Sequence, residues 1–206
     1  MHISEGVLSA PVLVTGGVLA AAGIVAGLRS IRSEEIPKAS ILSAVFFVAS
    51  LIHVNLGPSS THLVLNGLIG VIMGIGAFPV IFLGLLLQGL LFSFGGITTL
   101  GINTFNMAAP AVLFGYFLRP AINSKNFGVS TVASMLGGTL PVLTSALLVA
   151  MSLYLSGSQF LAVAYEVVLG NLPVVFIEAF VVMFCIRFLK KVRPEVLEPS
   201  LNTAMA

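Results

Sequence analysis

The chain has 206 residues, of which 58% are hydrophobic and only 8% are charged, with a formal net charge of +2; its mean hydropathy is +1.13. A soluble domain carries about 25% charged residues, so this composition excludes a water-soluble fold and predicts an integral membrane protein. The apolar runs are long and do not alternate with a period of two, which predicts an all-α membrane protein rather than a barrel. Asp is absent from the sequence, which excludes catalysis by a pair of Asp residues.

The N-terminal residues Met1-His2-Ile3-Ser4-Glu5-Gly6 can supply three nitrogen ligands to one metal ion. These are the free amine of Met1, the amide nitrogen of His2 and Nδ1 of the His2 imidazole, which together close a five-membered and a six-membered chelate ring. A deprotonated amide suits a planar ion, so the pattern favours Ni(II) or Cu(II), with Co(II) near them. One planar position stays open for a second imidazole. The alternative is that Met1 is only the start of translation and His2 has no special role.

Apolar runs between polar breaks predict about seven transmembrane helices in a single domain, residues 1–206. The predicted spans are residues 7–28, 41–56, 62–75, 80–94, 104–118, 129–155 and 160–189. Spans of 14 to 16 residues are too short to cross about 30 Å of hydrocarbon alone, so parts of them are expected to lie inside the protein.

The basic residues predict the orientation of the chain. With the N-terminus outside, every Lys and Arg falls beside a cytoplasmic segment, as the positive-inside bias requires. These are Arg29, Arg32, Lys38, Arg119, Lys125, Arg187, Lys190, Lys191 and Arg193. No Lys or Arg precedes Arg29, so a removable secretory leader is not expected. This orientation places the protein in the cell membrane with its C-terminus in the cytoplasm.

All three histidines then lie at the outer face of the membrane. His62 follows a Ser-Ser-Thr turn, where a helix N-terminus is expected, and we favour it as a metal ligand over an interfacial His bonded to that turn. His53 lies nine residues earlier. A hydrogen bond from its ring to a backbone carbonyl is at least as good an interpretation as ligation, so we expect it beside the ligands rather than among them.

Two Asn residues open the fifth span. Asn103 and Asn106 are three positions apart and share a face on a helical turn. They can hydrogen-bond the imidazoles or the N-terminal strand, or they can cap the fifth helix. The residues alone do not separate these alternatives.

Glu166 and Glu178 lie twelve residues apart in the seventh span, too far along a helix to act as one catalytic pair. We expect each to make a contact between helices. The single cysteine, Cys185, is expected to be a small core residue. The chain contains neither a phosphate-binding glycine loop followed by Lys-Ser/Thr nor a His-Glu-x-x-His motif, so it is not expected to hydrolyse nucleotides or to be a zinc protease of that kind.

Three motifs together resemble one family. Met-His-Ile-x-Glu-Gly at the N-terminus, Ser-x-His ending at His62, and Gly-x-Asn-x-Phe-x-Met-Ala from Gly101 are similar to the CbiM/NikM family. Its members are the substrate-binding (S) components of cobalt and nickel energy-coupling factor (ECF) transporters. The resemblance covers essentially the whole chain and implies an S-component fold with the N-terminal segment inserted into the helical body.

The resemblance implies a ligand set of the Met1 amine, the His2 amide and imidazole nitrogens, and the His62 imidazole. Beside these ligands we expect His53, Asn103, Asn106, Ser60 and Glu5. No prosthetic group is implied, because Co(II) or Ni(II) is the substrate. The implied partners are a transmembrane coupling protein (T component), ATPase subunits (A components) and a small auxiliary membrane protein of the CbiN/NikN kind.

Two functions from different classes follow from the sequence. The first is a component of an ATP-driven importer that binds Ni(II) or Co(II) outside the cell and itself has no enzymatic activity. The second is a membrane enzyme or metal sensor that uses a histidine-bound ion. A hydrolytic enzyme needs an open coordination position and a general base, and only Glu5 could serve as that base. We therefore favour transport, and the sequence does not distinguish cobalt from nickel.

Overall fold

The computed structural model describes residues 2–56 and 59–197, with only the backbone described at residues 53–56 and 59–61. This part of the chain is a bundle of seven α-helices. They are α1 (Ala10–Ser30), α2 (Ile36–Ala49), α3 (Asn66–Met73), α4 (Ala77–Phe92), α5 (Leu100–Ile122), α6 (Phe127–Ser156) and α7 (Leu161–Val192).

Local sequence accounts for several helix ends. Pro11 and Pro37 stand in the first turns of α1 and α2, where a missing N–H costs nothing. The Asn126 side chain caps α6 by accepting from the Val129 N–H at 3.2 Å. Pro110, Pro120, Pro141 and Pro173 lie inside helices, which membrane helices tolerate because neighbouring groups satisfy the freed carbonyls.

A two-stranded antiparallel hairpin interrupts the helices between α2 and α3. It consists of β1 (His53–Leu56) and β2 (Ser59–His62), and its register places His53 opposite His62. The expected second span, residues 41–56, was therefore wrong at its C-terminal end, since α2 stops at Ala49. His62 ends a strand, not the start of a helix as its turn predicted, and α3 begins at Asn66.

The core forms where α3 passes through the bundle. Every residue of α3 from Asn66 to Ile72 is buried, and it packs chiefly against α5 and α6. Side chains that are almost fully enclosed surround it, including Phe46, Ile81, Met107 and Ile122. The most extensive helix pair is α6 with α7. The predicted third span is too short to cross the membrane alone because it contains α3, a short helix that is enclosed by the other helices.

Four helical stretches are long and apolar enough to cross a membrane: Ala10–Ser30, Asn66–Phe92, Phe127–Ser156 and Ser158–Val192. The second of these joins α3 to α4 through a 3-10 turn. Among the described helices, α2 and α5 fall outside this set, because α2 has only 14 residues and α5 carries a polar first half. An integral membrane protein built of helices is thus confirmed.

Candidate metal centre

The first residues of the chain lie against the segment that leads from α4 into α5. Asn103, in the first turn of α5, makes a reciprocal pair with the backbone of Ile3. The Ile3 N–H donates to Asn103 Oδ1 at 3.1 Å, and Asn103 Nδ2 donates to the Ile3 carbonyl at 3.1 Å. One amide side chain thereby satisfies both polar groups of a buried residue. The Asn103 side chain thus makes the two hydrogen bonds that a neighbouring β-strand would make with the Ile3 backbone.

Further contacts hold the same segment. The Thr99 hydroxyl donates to the Ile3 carbonyl at 2.8 Å, and Glu5 Oε1 accepts from the Thr98 N–H at 3.2 Å. Gly96 lies directly beneath the Glu5 side chain, so a Cβ at this position would overlap it. The N-terminal segment is therefore bound at both Ile3 and Glu5, and His2 lies at its inner end.

The His2 and His62 rings meet inside the protein. Their Nε2 atoms are 2.9 Å apart, and the ring planes are 19° from parallel with centroids 4.8 Å apart. His62 is 2% exposed and its Nδ1 lies 2.8 Å from the carbonyl oxygen of Leu63. On the other side, the Phe94 ring is near-parallel to His2 at 6.1 Å between centroids.

These contacts determine the tautomers of two neutral imidazoles. A carbonyl can only accept, so His62 Nδ1 carries the proton and His62 Nε2 is an acceptor. His2 Nε2 must then donate to His62 Nε2, which leaves a lone pair on His2 Nδ1. His2 Nδ1 is buried and has no hydrogen-bond partner among the described residues. This is the nitrogen that an N-terminal chelate requires.

Burial lowers the pKa of His2 well below its ordinary value, so the ring is a neutral donor. Within the described residues, no three His, Cys, Asp or Glu side chains are close enough to hold one metal ion together. Two imidazoles alone leave a transition metal short of ligands. A metal at this position would need further donors besides the two imidazoles.

The other residues expected near the site divide into three groups. Asn103 contacts the N-terminal strand, and Glu5 binds Thr98 at the surface rather than an imidazole. The hydrogen bond of the Asn106 side chain goes elsewhere, since its Nδ2 donates to the Ser152 hydroxyl of α6 at 3.2 Å. Both Asn residues lie inside α5 instead of capping it. Met1 and the side chains of His53 and Ser60 lie outside what the structure describes.

Two contributors to this region were not predicted from the sequence. Thr99 is fully buried against Ile3, and its place in a polar run before Asn103 is the only sequence signal that marks it. Glu178 of α7 accepts hydrogen bonds from the backbone N–H groups of Val64 and Leu65, directly after His62. The expectation of a contact between helices was wrong for Glu178, because its hydrogen bonds go to the segment between β2 and α3. Glu166 is exposed on the same helix and makes no hydrogen bond or ion pair with the described part of the chain.

The fold is a membrane-embedded helical bundle with two facing imidazoles, and comparison with known proteins identifies its class as membrane components of metal transport. Residues 2–196 match the family CbiM, described as the cobalt uptake substrate-specific transmembrane region. The chain belongs to this family of cobalt and nickel transport proteins of prokaryotic membranes.

Individual relatives are similar over most of the chain. A protein of Haemophilus influenzae, provisionally named a metal transport protein, is 38% identical over 98% of this chain and 99% of its own length. A protein of Methanocorpusculum labreanum, provisionally named a fused cobalt transport protein CbiMQ, is 25% identical over 95% of this chain but 36% of its own length. One of Archaeoglobus fulgidus, provisionally named a fused nickel transport protein NikMN, is 29% identical over 74% of this chain and 53% of its own length.

A solved structure shares the fold. The crystal structure of a truncated transition metal transporter superposes with a TM-score of 0.77 and covers 93% of this chain and 99% of its own, at 24% sequence identity. The relatives are named as transport proteins and not as enzymes.

Proposed function

We propose that the chain is the substrate-binding component of an ECF-type importer that binds Ni(II) or Co(II) at the extracytoplasmic face. The ligands are the Met1 amine, the His2 amide nitrogen, His2 Nδ1 and His62 Nε2. The observation that carries the proposal is the buried, unpartnered Nδ1 of His2 beside the His62 imidazole. A buried polar atom without a partner is costly, and an ion would satisfy it.

The chemistry of four nitrogens in a plane favours a bound ion over a catalytic one. Such a plane leaves no equatorial position for a reacting water, and the Glu5 carboxylate already accepts from Thr98. His62 faces Nε2 of His2, whereas the chelate uses Nδ1. Metal binding therefore requires one ring to turn, so that His62 Nε2 exchanges the His2 N–H for the metal ion.

The assembly follows from the same proposal. The chain is a single domain of about seven membrane-spanning helices with its N-terminus outside and its C-terminus in the cytoplasm. It contains no nucleotide-binding loop, so separate ATPase subunits and a T component drive uptake, and a small auxiliary membrane protein completes the complex. The two fused relatives support separate modules of this kind, because this chain covers 36% of one and 53% of the other.

Calorimetric titration with Ni(II) and Co(II) tests the ligand set. The protein should carry only a C-terminal tag, and intact mass should confirm that Met1 is retained. Replacing His2 or His62 by Ala should abolish high-affinity binding, while His53→Ala should weaken it by about 10–100-fold, as changes beside the ligands usually do. Loss of binding in His53→Ala with His62→Ala unaffected would reverse the assignment.

A one-residue extension tests the amine. One Gly added before Met1 converts the amine to an amide and should abolish binding and uptake, whereas one Gly added after Ala206 should change neither. If the protein extended before Met1 still binds Ni(II) with unchanged affinity, the Met1 amine is not a ligand.

A further inference from the structure

One peptide group connects the His62 imidazole to Glu178. The carbonyl of Leu63 lies 2.8 Å from His62 Nδ1, and the N–H of Val64 donates to Glu178 Oε1. These two groups belong to the same planar amide. The result is a continuous chain of hydrogen bonds from the imidazole at the end of β2, through one amide, to a carboxylate on α7. Leu65 N–H adds a second donor to the same oxygen at 2.7 Å.

The position of Glu178 is fixed by close packing. Its side chain is 0% exposed. On α6, Gly138 lies against the Glu178 backbone so closely that a Cβ there would overlap the Glu178 carbonyl. The α7 backbone is thus held next to α6 at this level, and the carboxylate points across to the segment after His62. Leu65 itself has a left-handed φ of 55°, which a non-glycine residue adopts only when its surroundings impose it.

A carboxylate enclosed in a membrane protein is expensive and needs a reason to be there. A fully apolar side chain would pack between α6 and α7 at lower cost, but it could not accept from Val64 and Leu65. The second carboxylate oxygen, Oε2, has no hydrogen-bond partner among the described residues. Both hydrogen bonds of Glu178 are made by Oε1 and go to the segment that follows His62.

We propose that Glu178 is a positioning residue that fixes the tautomer of His62 and directs His62 Nε2 at the metal. The part of this inference that concerns the metal rests on the proposed function. Hydrogen bonding at the Val64 N–H polarises the amide and makes the Leu63 carbonyl a stronger acceptor. That acceptor holds the proton on His62 Nδ1. In other metal sites a carboxylate that accepts a hydrogen bond directly from the ligating histidine fixes the tautomer in the same way and makes the imidazole a better electron donor.

Nitrogen NMR of the metal-free protein tests the tautomer without any assumption about transport. The chain has only three histidines, so ¹⁵N labelling of their rings gives a small, assignable set of signals. In the unchanged protein His62 should be protonated at Nδ1 and His2 at Nε2. His62 protonated at Nε2 in the unchanged protein would overturn the proposal without any variant.

Substitutions at Glu178 supply the second readout. Glu178→Gln keeps an acceptor oxygen and should preserve the His62 tautomer, whereas Glu178→Ala removes the acceptor and should produce a mixture of both tautomers. Glu178→Asp, which shortens the reach, serves if the Ala variant does not fold. Glu166→Ala, on the exposed face of the same helix, is the matched control and should leave the spectrum unchanged. An unchanged His62 tautomer in folded Ala and Asp variants would refute the relay.

Metal titration of the same variants separates the two proposals. Ni(II) affinity should fall by about 10–100-fold in Glu178→Ala or Glu178→Asp and should recover in Glu178→Gln. A fall in unfolding temperature with Ni(II) affinity unchanged would reduce Glu178 to a packing role. If the unchanged protein binds no metal while Glu178 still controls the tautomer, the proposed function fails and the positioning of His62 stands.

Discussion

Asn103 is the residue on which the N-terminal segment depends most directly. Its side chain satisfies both the N–H and the carbonyl of Ile3, at 3.1 Å each. Asn103→Leu removes both hydrogen bonds with a similar volume, so the Ile3 N–H loses its acceptor and the Ile3 carbonyl keeps only the Thr99 hydroxyl among the described residues. His2 is then held less firmly against His62. We expect Ni(II) affinity to fall by about 10–100-fold in calorimetric titration, with the helical circular dichroism unchanged.

Asn106→Leu is the matched control for that variant. Asn106 lies one turn further along α5, is equally buried, and within the described part of the chain its side chain bonds to Ser152. Loss of the Asn106 side chain should lower the unfolding temperature. It should leave the metal affinity within about twofold of the original, because a change away from the ligands does not couple to metal binding. Equal losses of affinity in the two Asn variants would show that Asn103 acts through general packing.

At the residue scale, sequence reasoning identified the contact of Asn103 as one of three alternatives. Asn103 was expected to reach the imidazoles, to reach the N-terminal strand or to cap α5, and the structure shows the contact with the N-terminal strand. The chelate at His2 stays a prediction. Asn106 was expected to share the role of Asn103 because both lie on one face. The packing of α6 brings Ser152 to Asn106 instead. The partner of Glu178 lies 113 residues away in sequence, so no local pattern could identify it.

At the element scale, hydropathy located the helices but not the hairpin. Residues 41–56 form one apolar run, yet α2 ends at Ala49 and His53–Leu56 is a strand. Hydropathy carries no information on how a backbone pairs, so an apolar run alone does not show where a helix ends and a strand begins. The short predicted spans did indicate that part of this region lies within the protein. The α3 helix, with its first seven residues buried, is that part.

Lys190 joins three elements at the basic face, and its loss should be measurable. Its Nζ donates to the Ile122 carbonyl at 2.7 Å, the Ser124 carbonyl at 3.1 Å and the Ser130 hydroxyl at 2.8 Å. These acceptors lie at the end of α5, in the following loop and at the start of α6. Lys190→Met keeps the alkyl stem but removes the donors, so we expect a loss of about 1–2 kcal/mol in unfolding free energy, measured in detergent.

The neighbouring Lys191 provides the comparison for this prediction. It is exposed and makes no hydrogen bond or ion pair with the described residues. Lys191→Met should therefore leave the unfolding free energy unchanged within about 0.5 kcal/mol. A Lys191 variant as destabilised as the Lys190 variant would mean that the positive charge itself, rather than the three hydrogen bonds, stabilises this face.

At the scale of the whole molecule, the proposed orientation can be measured by cysteine labelling. Cys185 is replaced by Ala, and single cysteines are then introduced at the exposed positions Ile97 and Lys125. Ile97→Cys should react with an impermeant thiol reagent added to intact cells, and Lys125→Cys should react only after the membrane is opened. The reverse pattern would place the histidine pair on the cytoplasmic side and remove the basis for extracytoplasmic binding.

The 100-residue separation between Ile3 and Asn103 has a consequence for biosynthesis. At a synthesis rate of about 5–20 residues per second, the N-terminal segment is made about 5–20 seconds before the side chain that holds it exists. The Glu178 hydrogen bonds to Val64 and Leu65 form later still, because α7 is the last helix to emerge. The segment around Ile3 is therefore among the last parts of the chain to reach its final hydrogen bonds, and slower elongation lengthens this delay.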